Sequence, residues 1–230
     1  MSRRAQIVPA ILPKDFAELS EKAELMRGSA AAIQVDVCDG QFVPNATWPY
    51  KKHDDAFERM SHEEEGLPGW EDMDYEFDLM VNRPEEVVDD WVAAGAARLV
   101  IHAESKGDLA KAIAMLQGRV EVGLALNEST DLSAIEALGG ASGALSFVQL
   151  MGIDRIGFQG QAFDERVIGR VKQVRLAYPG LPISVDGGAS SETIPALIAA
   201  GADRLVVGSA IFGTSDPLNA FAKLKAIASS

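Results

Sequence analysis

The sequence predicts an α/β fold of the (β/α)8 TIM-barrel class, and three observations lead to this prediction. Apolar, β-branched runs recur eight times along the 230 residues, segments with helical spacing lie between them, and no linker or low-complexity tract divides the chain. Strands that alternate with helices form right-handed parallel units, and eight such units in this length match a closed barrel better than an open doubly wound sheet. We therefore expect residues 1–230 to form a single barrel domain.

The eight predicted strands can be followed in chain order. They are "QIVPAIL", "AAIQVDV", "YEFDLMV", "ARLVIH", "VEVGLAL", "LSFVQLM", "LPISVDG" and "DRLVVGS". The clearest helix is "NRPEEVVDDWVAAG", in which Pro84 and the following acids suit a first turn and Gly95 suits the end. The stretches "AAGAARLVIH" and "AAGADRLVVG" both have the order helix end, glycine turn, buried strand. This internal echo favours a fold built from repeated units.

One segment interrupts the alternation of strands and helices. Residues 53–74, "HDDAFERMSHEEEGLPGWEDMD", are rich in acids and carry Gly66, Pro68 and Gly69 near the middle. We expect the helix there to end early and to continue as a long loop. The segment is interpreted as an acidic insertion on the surface, with a lid or a partner surface as the alternative.

The composition limits the compartment and the partners. A formal charge of −13, from 34 acids against 21 bases, disfavours a nucleic-acid partner. The apolar run in "MSRRAQIVPAIL" is too short for a signal peptide or a membrane span. The single cysteine, Cys38, cannot form an internal disulfide, and the acids beside it raise the pKa of a thiol. We expect a cytoplasmic protein without membrane or nucleic-acid partners and an inert, packed Cys38; homo-oligomerisation stays open.

Polar residues fall at the ends of the predicted strands, where such barrels carry reactive groups. They are Asp36, Asp78, His102, Asn127 and Asp186. Each acid taken alone is also explained by a helix cap or a turn. Asp36 and Asp186, however, both project from buried runs toward one end of the barrel. Two carboxylates facing each other across a substrate can remove a proton on one side and return it on the other, provided that one is ionised and one protonated.

Alternation along a strand puts further polar groups on the same faces. Gln34 shares a face with Asp36, and Glu76 shares one with Asp78. His102 is a lone histidine at a strand end, which is more often a hydrogen-bonded structural residue than a catalyst. Several polar side chains are therefore expected to converge on one mouth.

Glycine-rich turns follow the last three predicted strands. They read "GFQGQAF", "VDGGAS" and "VVGSAIFG". Glycine lets backbone N–H groups approach an anion closely, and barrels of this class commonly bind phosphate after strands seven and eight. Three such turns at one end of the barrel predict a phosphate cradle.

These stretches resemble the ribulose-phosphate 3-epimerase family over nearly the whole chain. The resemblance is carried, in order, by "PAILPKDFAELSEKAELM", "VDVCDGQFVPN", "DLMVNRPEE", "IHAES", "LALNEST", "MGIDRIGFQGQAF", "VDGG" and "VGSAIF". It implies a barrel of the ribulose-phosphate-binding type. It also implies an epimerase that inverts the carbon beside the carbonyl of ribulose 5-phosphate, or of a related pentulose or hexulose phosphate, through an enediolate.

The resemblance assigns roles to particular residues. Asp36 and Asp186 would be the catalytic acid and base. The phosphate contacts would come from Gly157, Gly160, Gly187, Gly188, Gly208 and Ser209. Apart from the resemblance, Met80, His102 and Met151 are expected to line the substrate pocket, with plain core packing as the alternative for the two methionines. The implied partner is a small sugar phosphate.

The chain also departs from the family pattern. Members usually bind a divalent metal through two histidines as well as the two aspartates, and those histidine positions hold Gln34 and Asp78. The serine usual in the first strand is Ala10, and the loop "NPGFGGQ" appears as "DRIGFQGQ", with Ile156 apparently added and Arg155 as either a charge for the site or an exposed side chain. These changes alter the metal site and the phosphate loop.

The altered ligands change which ion we expect. Carboxylate and amide oxygens of Asp36, Asp78, Asp186 and Gln34 suit Mg²⁺ or Mn²⁺ better than Zn²⁺, and three carboxylates repel one another when no ion is bound. A site without any ion is the alternative, in a phosphosugar-binding homologue that is weakly active or not catalytic. An aldol-type or decarboxylating enzyme on the same fold is disfavoured, because the early strand ends lack a well-placed lysine.

Overall fold

Eight parallel strands close into a barrel in the computed structural model, which describes residues 4–52, 55–140 and 142–230. Each strand pairs with the strands that precede and follow it in the sequence, and the last strand pairs with the first. The strands are β1 (Gln6–Ile11), β2 (Ala32–Cys38), β3 (Asp74–Met80), β4 (Arg98–His102), β5 (Glu121–Leu126), β6 (Phe147–Met151), β7 (Ile183–Asp186) and β8 (Arg204–Val207). All eight runs predicted from the sequence are strands, and the barrel prediction is confirmed.

Helices connect the strands on the outside of the barrel. They are α1 (Phe16–Met26), α2 (Asp55–Ser61), α3 (Val88–Ala93), α4 (Leu109–Leu116), α5 (Ser133–Ala137), α6 (Arg166–Ala177), α7 (Ile194–Ala200), α8 (Ser209–Phe212) and α9 (Pro217–Ser229). As predicted, Pro84 opens a 3₁₀ turn before α3, and Gly95 follows α3 with φ 99°. Among the described residues, none of the helices combines the length and apolarity that crossing a bilayer requires.

The main apolar core lies between the barrel and the helices, whereas the inside of the barrel combines polar side chains with two small apolar clusters. Aromatic rings fill part of the outer layer; Trp91, for example, lies 4.4 Å from Phe77 and 4.5 Å from Phe57, measured between ring centroids. Hydrogen bonds and ion pairs across the barrel identify polar side chains that face inward, and His102 bonds Asp78 on the neighbouring strand. Fully buried ones among them are Gln34, Glu76, Asp78, His102 and Gln149. These groups need partners, because burying an unpaired polar group costs free energy.

A buried ion pair crosses the barrel near the amino ends of the strands. Arg204 of β8 lies 2.8 Å from Glu76 of β3, and its guanidinium sits over the ring of Phe147 at 4.9 Å. Burial raises the pKa of Glu76, and the charge of Arg204 opposes that shift. The pair fills the amino end of the barrel, opposite the carboxyl end where Asp36 and Asp186 lie.

The loop of the acidic segment, residues 62–73, leads to that same end of the barrel. His53 and Asp54 are outside the described residues; α2 ends at Ser61, as predicted, and a loop leads from it to the amino end of β3. Leu67 is buried, while Trp70 is 63% exposed. Because the strands are parallel, a loop that enters β3 at its amino end cannot cover the carboxyl ends. The placement fits a surface excursion and does not fit a lid.

Candidate active site

One side-chain amide connects the two aspartates that the sequence singled out. Asp36 lies near the carboxyl end of β2 and Asp186 at the end of β7. Gln34 Nε2 donates to Asp36 Oδ1 at 3.1 Å and to Asp186 Oδ2 at 3.2 Å. Both carboxyl groups line a cavity at the carboxyl end of the barrel, which we call the mouth cavity. The predicted convergence of Asp36 and Asp186 is therefore present, and Gln34 is part of it.

Asp78 joins this cluster from β3 and is fully buried. Its Oδ1 lies 2.9 Å from His102 Nε2, and its Oδ2 accepts a hydrogen bond from Gln149 Nε2 at 3.3 Å. The same Gln149 amide lies 3.4 Å from Asp186 Oδ2. Gln149 was not predicted as a site residue, because "LSFVQLM" has the appearance of one apolar run. Alternation with Phe147 and Met151 was the signal that it points into the barrel.

His102 belongs to a chain of polar groups behind the mouth cavity. Its Nδ1 lies 3.7 Å from Glu104 Oε2, and Glu104 Oε1 accepts the backbone N–H of Asn127 at 2.8 Å and the Thr130 hydroxyl. Burial alone would lower the pKa of His102, but the charge and hydrogen bond of Asp78, together with Glu104, raise that pKa to about 10. His102 is fully buried, so it acts on the cavity through Asp78 and not as part of its wall.

The two aspartates at the mouth bind protons more strongly than ordinary carboxyl groups. Burial, with the charges of Asp186 and Asp78, raises the pKa of Asp36 well above its usual value. Burial and the charge of Asp78 raise the pKa of Asp186 to about 7, against the lowering effect of the Gln34 hydrogen bond. A coupled pair shifted in this way can hold one carboxyl protonated and one ionised near neutral pH.

The same three aspartates could hold a metal ion. One carboxylate oxygen from each of Asp36, Asp78 and Asp186 lies within 4.8 Å of the other two. Gln34 Oε1 is buried and has no hydrogen-bond partner. Three carboxylates fit a hard divalent cation, which prefers oxygen ligands, and the Gln34 amide would add its oxygen to them by turning over, since its Nε2 now faces Asp36 and Asp186.

The loops predicted to bind phosphate line the other side of the mouth cavity. All six predicted contacts, Gly157, Gly160, Gly187, Gly188, Gly208 and Ser209, are among the lining residues, together with Met80 and Met151. Gly187 and Gly188 adopt left-handed conformations, with φ 97° and 70°. A Cβ on Gly188 would also lie 2.7 Å from a ring carbon of Phe163. Glycine is therefore required there by conformation and by space.

The loop after β6 is fixed at both of its ends. Gly152 N–H donates to Asp186 O at 2.6 Å, and Asp164 N–H donates to Gly152 O at 2.8 Å. The side-chain amide of Asn45 donates to Gly157 O at 2.8 Å, which joins this loop to the one after β2. Ile156, the apparent extra residue, is buried in an apolar cluster below the loop.

Arg155 lies on the outer side of this loop. It is exposed, and its guanidinium lies over the ring of Phe158, 5.0 Å from the centroid. Phe158 lines the mouth cavity, whereas Arg155 does not. The exposed-arginine interpretation therefore describes this side chain, and its charge is not directed at the carboxylates.

The two acids in "VDVCDG" have different surroundings. Asp39, the second of them, accepts the backbone N–H groups of Gln41, Phe42 and Asn82, each at 2.7 Å. Three backbone hydrogen bonds make it a turn-forming residue. Cys38 is fully buried, and burial with the nearby charge of Asp36 raises the pKa of its thiol, which agrees with an inert side chain.

Comparison with known proteins extends these observations. The profile of the ribulose-phosphate 3 epimerase family matches residues 6–212. The chain is 34% identical to ribulose-phosphate 3-epimerase of Bacillus subtilis over 228 residues, covering 96% of this chain and 98% of that protein. It is 33% identical to the Aquifex aeolicus enzyme of the same name, covering 96% of each chain.

Solved structures with low sequence identity share the fold. A 3-hexulose-6-phosphate synthase superposes with a TM-score of 0.67 at 22% identity, covering 97% of this chain and 99% of that one. The enzyme KGPDC from Streptococcus mutans superposes with a TM-score of 0.71 at 14% identity, covering 97% of each chain. These likenesses establish the barrel alone. The family profile and the curated relatives go further: this chain belongs to the ribulose-phosphate 3-epimerase family.

Proposed function

We propose that the protein is an epimerase or isomerase of a ketose phosphate, acting on ribulose 5-phosphate or a related pentulose or hexulose phosphate. One observation carries this proposal: Asp36 and Asp186 come from separate strands, line one cavity and are linked by the Gln34 amide. The curated relatives carry the name ribulose-phosphate 3-epimerase, which supports the same reaction class.

The two aspartates would act as a base and an acid on opposite faces of one carbon. The ionised carboxylate removes the proton from the carbon beside the carbonyl, which leaves an enediolate. The protonated carboxyl group then delivers its proton to the other face of that carbon, so that the configuration is inverted and the pair exchanges roles. The raised pKa of Asp186, about 7, suits a group that must exist in both forms near neutral pH.

The glycine loops would hold the phosphoryl group of the substrate. Their backbone N–H groups supply the donors, and Met80 and Met151 give apolar contact to the carbon chain. We propose a small phosphosugar as the partner, and from the net charge of −13 we infer no nucleic-acid partner; we infer no membrane partner either. We infer a cytoplasmic location and leave self-association to measurement.

A cation, where bound, would be held by Asp36, Asp78 and Asp186, with Gln34 Oε1 as the further oxygen. We propose Mg²⁺ or Mn²⁺ in preference to Zn²⁺, because the set contains no nitrogen or sulfur ligand. Such an ion would stabilise negative charge on the enediolate oxygen. The proton transfers themselves belong to the two aspartates.

Solvent exchange tests the proposed function directly. Ribulose 5-phosphate and allulose 6-phosphate are incubated with the protein in deuterated water, with and without Mn²⁺, and deuterium at the carbon beside the carbonyl is followed by NMR. We expect incorporation by the natural chain and its loss in Asp186→Asn. Lack of incorporation from every ketose phosphate tested would reject the proposal.

A phosphosugar-binding protein without turnover is the second candidate. The observation that favours it is the pair of amides, Gln34 and Gln149, which donate hydrogen bonds to the carboxylates. Calorimetry that shows phosphosugar binding, together with no deuterium exchange, would support this alternative. The structure adds no support for an aldol-type or decarboxylating enzyme, since no lysine of the described chain lines the mouth cavity.

A further inference from the structure

The side chain of Gln159 connects the loop after β6 to the end of β1. Its Nε2 donates to the backbone oxygen of Ala10 at 3.2 Å, and both residues line the mouth cavity. The glycines on either side of "FQ", Gly157 and Gly160, have φ 80° and 72°, which a side chain would strain. The family pattern "GFGGQ" has glycine where this chain has Gln159. The amide is thus a feature of this chain that the resemblance does not explain.

The amide of Gln159 also lies directly against Gly208. The backbone of Gly208 has φ −96°, which any residue adopts, so conformation does not require glycine there. A Cβ on Gly208 would lie 2.5 Å from Gln159 Nε2 and 2.9 Å from its Cδ, so a side chain there would displace the amide. The side-chain amide therefore occupies the junction between β8 and α8, where the predicted phosphate contacts Gly208 and Ser209 lie.

The charges of the mouth cavity make neutral donors important. Asp36 and Asp186 line it, and within the described part of the chain no lysine or arginine does. A phosphoryl dianion must therefore be held by uncharged N–H and O–H groups. The Gln159 amide has two N–H hydrogens, and Ala10 O accepts one of them, which leaves the second for an acceptor in the cavity.

We propose that Gln159 is a phosphate ligand of this site. Through Ala10 it holds the loop after β6 against β1, and it adds a side-chain donor to the backbone donors around Gly208. The inference rests on the proposed function, because it requires a phosphorylated ligand with its phosphoryl group at the glycine loops.

The matched substitutions are Gln159→Glu and Gln159→Ala, tested by calorimetry with inorganic phosphate and with ribulose 5-phosphate. Glutamate keeps the shape but replaces the donor by a carboxylate, which repels both Ala10 O and the phosphate. We expect the dissociation constant for phosphate to rise about tenfold or more in Gln159→Glu and less in Gln159→Ala. In Gln173→Glu, the same charge change on the exposed face of α6, the constant should stay unchanged.

Turnover gives a second measurement on the same variants. Because Gln159 would bind the part of the substrate that does not react, KM should rise in Gln159→Ala while kcat changes little. If both Gln159 variants bind phosphate as tightly as the natural chain does, the inference is overturned and the proposed function still stands. A natural chain that binds neither phosphate nor phosphosugar would overturn both. Should Gln159→Glu fail to fold, Gln159→Ala decides.

Discussion

Asp36 and Asp186 accept hydrogen bonds from the same amide group, that of Gln34, although they lie on β2 and β7. This arrangement fixes the two carboxyl groups relative to each other before any ligand is bound. It also makes them a coupled pair, because the charge of Asp186 contributes to the raised pKa of Asp36. The pair should therefore behave as one unit when either member is changed.

Replacing either aspartate by asparagine should abolish most of the epimerase activity. Asparagine keeps the size but cannot exchange a proton, so we expect a loss of about 10²–10⁴-fold in kcat for Asp36→Asn and for Asp186→Asn. Because both act in one proton transfer sequence, the double variant should lose little more than either single variant. Steady-state kinetics checks this, with Asp55→Asn at the exposed start of α2 as the control. Fully additive losses would argue against a shared step.

Introducing histidine at the two altered positions should change the ion that the site prefers. The natural chain offers only oxygen ligands, whereas the double variant Gln34→His with Asp78→His offers two imidazole nitrogens. We expect the ratio of Mn²⁺ affinity to Zn²⁺ affinity to be higher in the natural chain than in this variant. The imidazole nitrogens of that variant should favour Zn²⁺. Calorimetric titration with each metal, together with metal analysis of the purified proteins, measures the change. Equal Zn²⁺ affinity in both proteins would contradict the prediction.

The raised carboxyl pKa values should make stability depend on pH. An aspartate whose pKa is about 7 in the folded chain, against an ordinary 3.8, binds its proton more strongly when folded. Its favourable contribution is present below the unfolded pKa and is lost as the pH rises through about 7. In the presence of a chelator, the free energy of unfolding should therefore fall between about pH 4 and pH 7. The fall should be smaller in Asp186→Asn, which urea denaturation at each pH will test.

The ion pair at the amino end of the barrel should be costly to break from one side. Arg204→Met leaves the carboxylate of Glu76 buried without its partner, and we expect a loss of about 3–5 kcal/mol in the free energy of unfolding. Replacing both residues, Glu76→Leu with Arg204→Met, should recover most of that loss, because no charge then remains buried. Urea denaturation of the single and double variants gives the coupling energy.

A surface pair provides the comparison for this experiment. Arg27 lies 2.7 Å from Asp72, and both side chains are largely exposed. Solvent screens such pairs, so Arg27→Met should change stability far less than Arg204→Met. A similar loss in the two variants would show that burial does not decide the cost.

The fold could be predicted from the sequence more completely than the site. Runs of β-branched residues predicted every strand, because a strand buried on both faces has an apolar pattern that local reading detects. Period-two alternation placed Gln34 on the face of Asp36, but the same reasoning was not applied to Gln149. The contacts of Gln149 with Asp78 and Asp186 cross the barrel, and no local pattern reports which strands face each other across an interior.

His102 illustrates a different limit of sequence reasoning. Its position at a strand end suggested a pocket residue, but the depth of a side chain depends on how far each strand extends toward the mouth. His102 contacts Asp78 and does not line the mouth cavity, so the imidazole acts on that carboxylate instead of on a ligand. The close approach of Gln159 to Gly208 likewise joins two loops whose meeting no spacing in the sequence encodes.

The hydrogen bond from Asp164 to Gly152 closes the loop after β6 at its base, independently of what lies between the two residues. The exposed residues of that stretch, Asp154 and Arg155, can thus change without moving β6 or α6. Ile156 and Phe163 are constrained, because one packs into a buried cluster and the other lies against Gly188. For protein engineering, variation in this loop belongs at its exposed positions, with the buried ones kept.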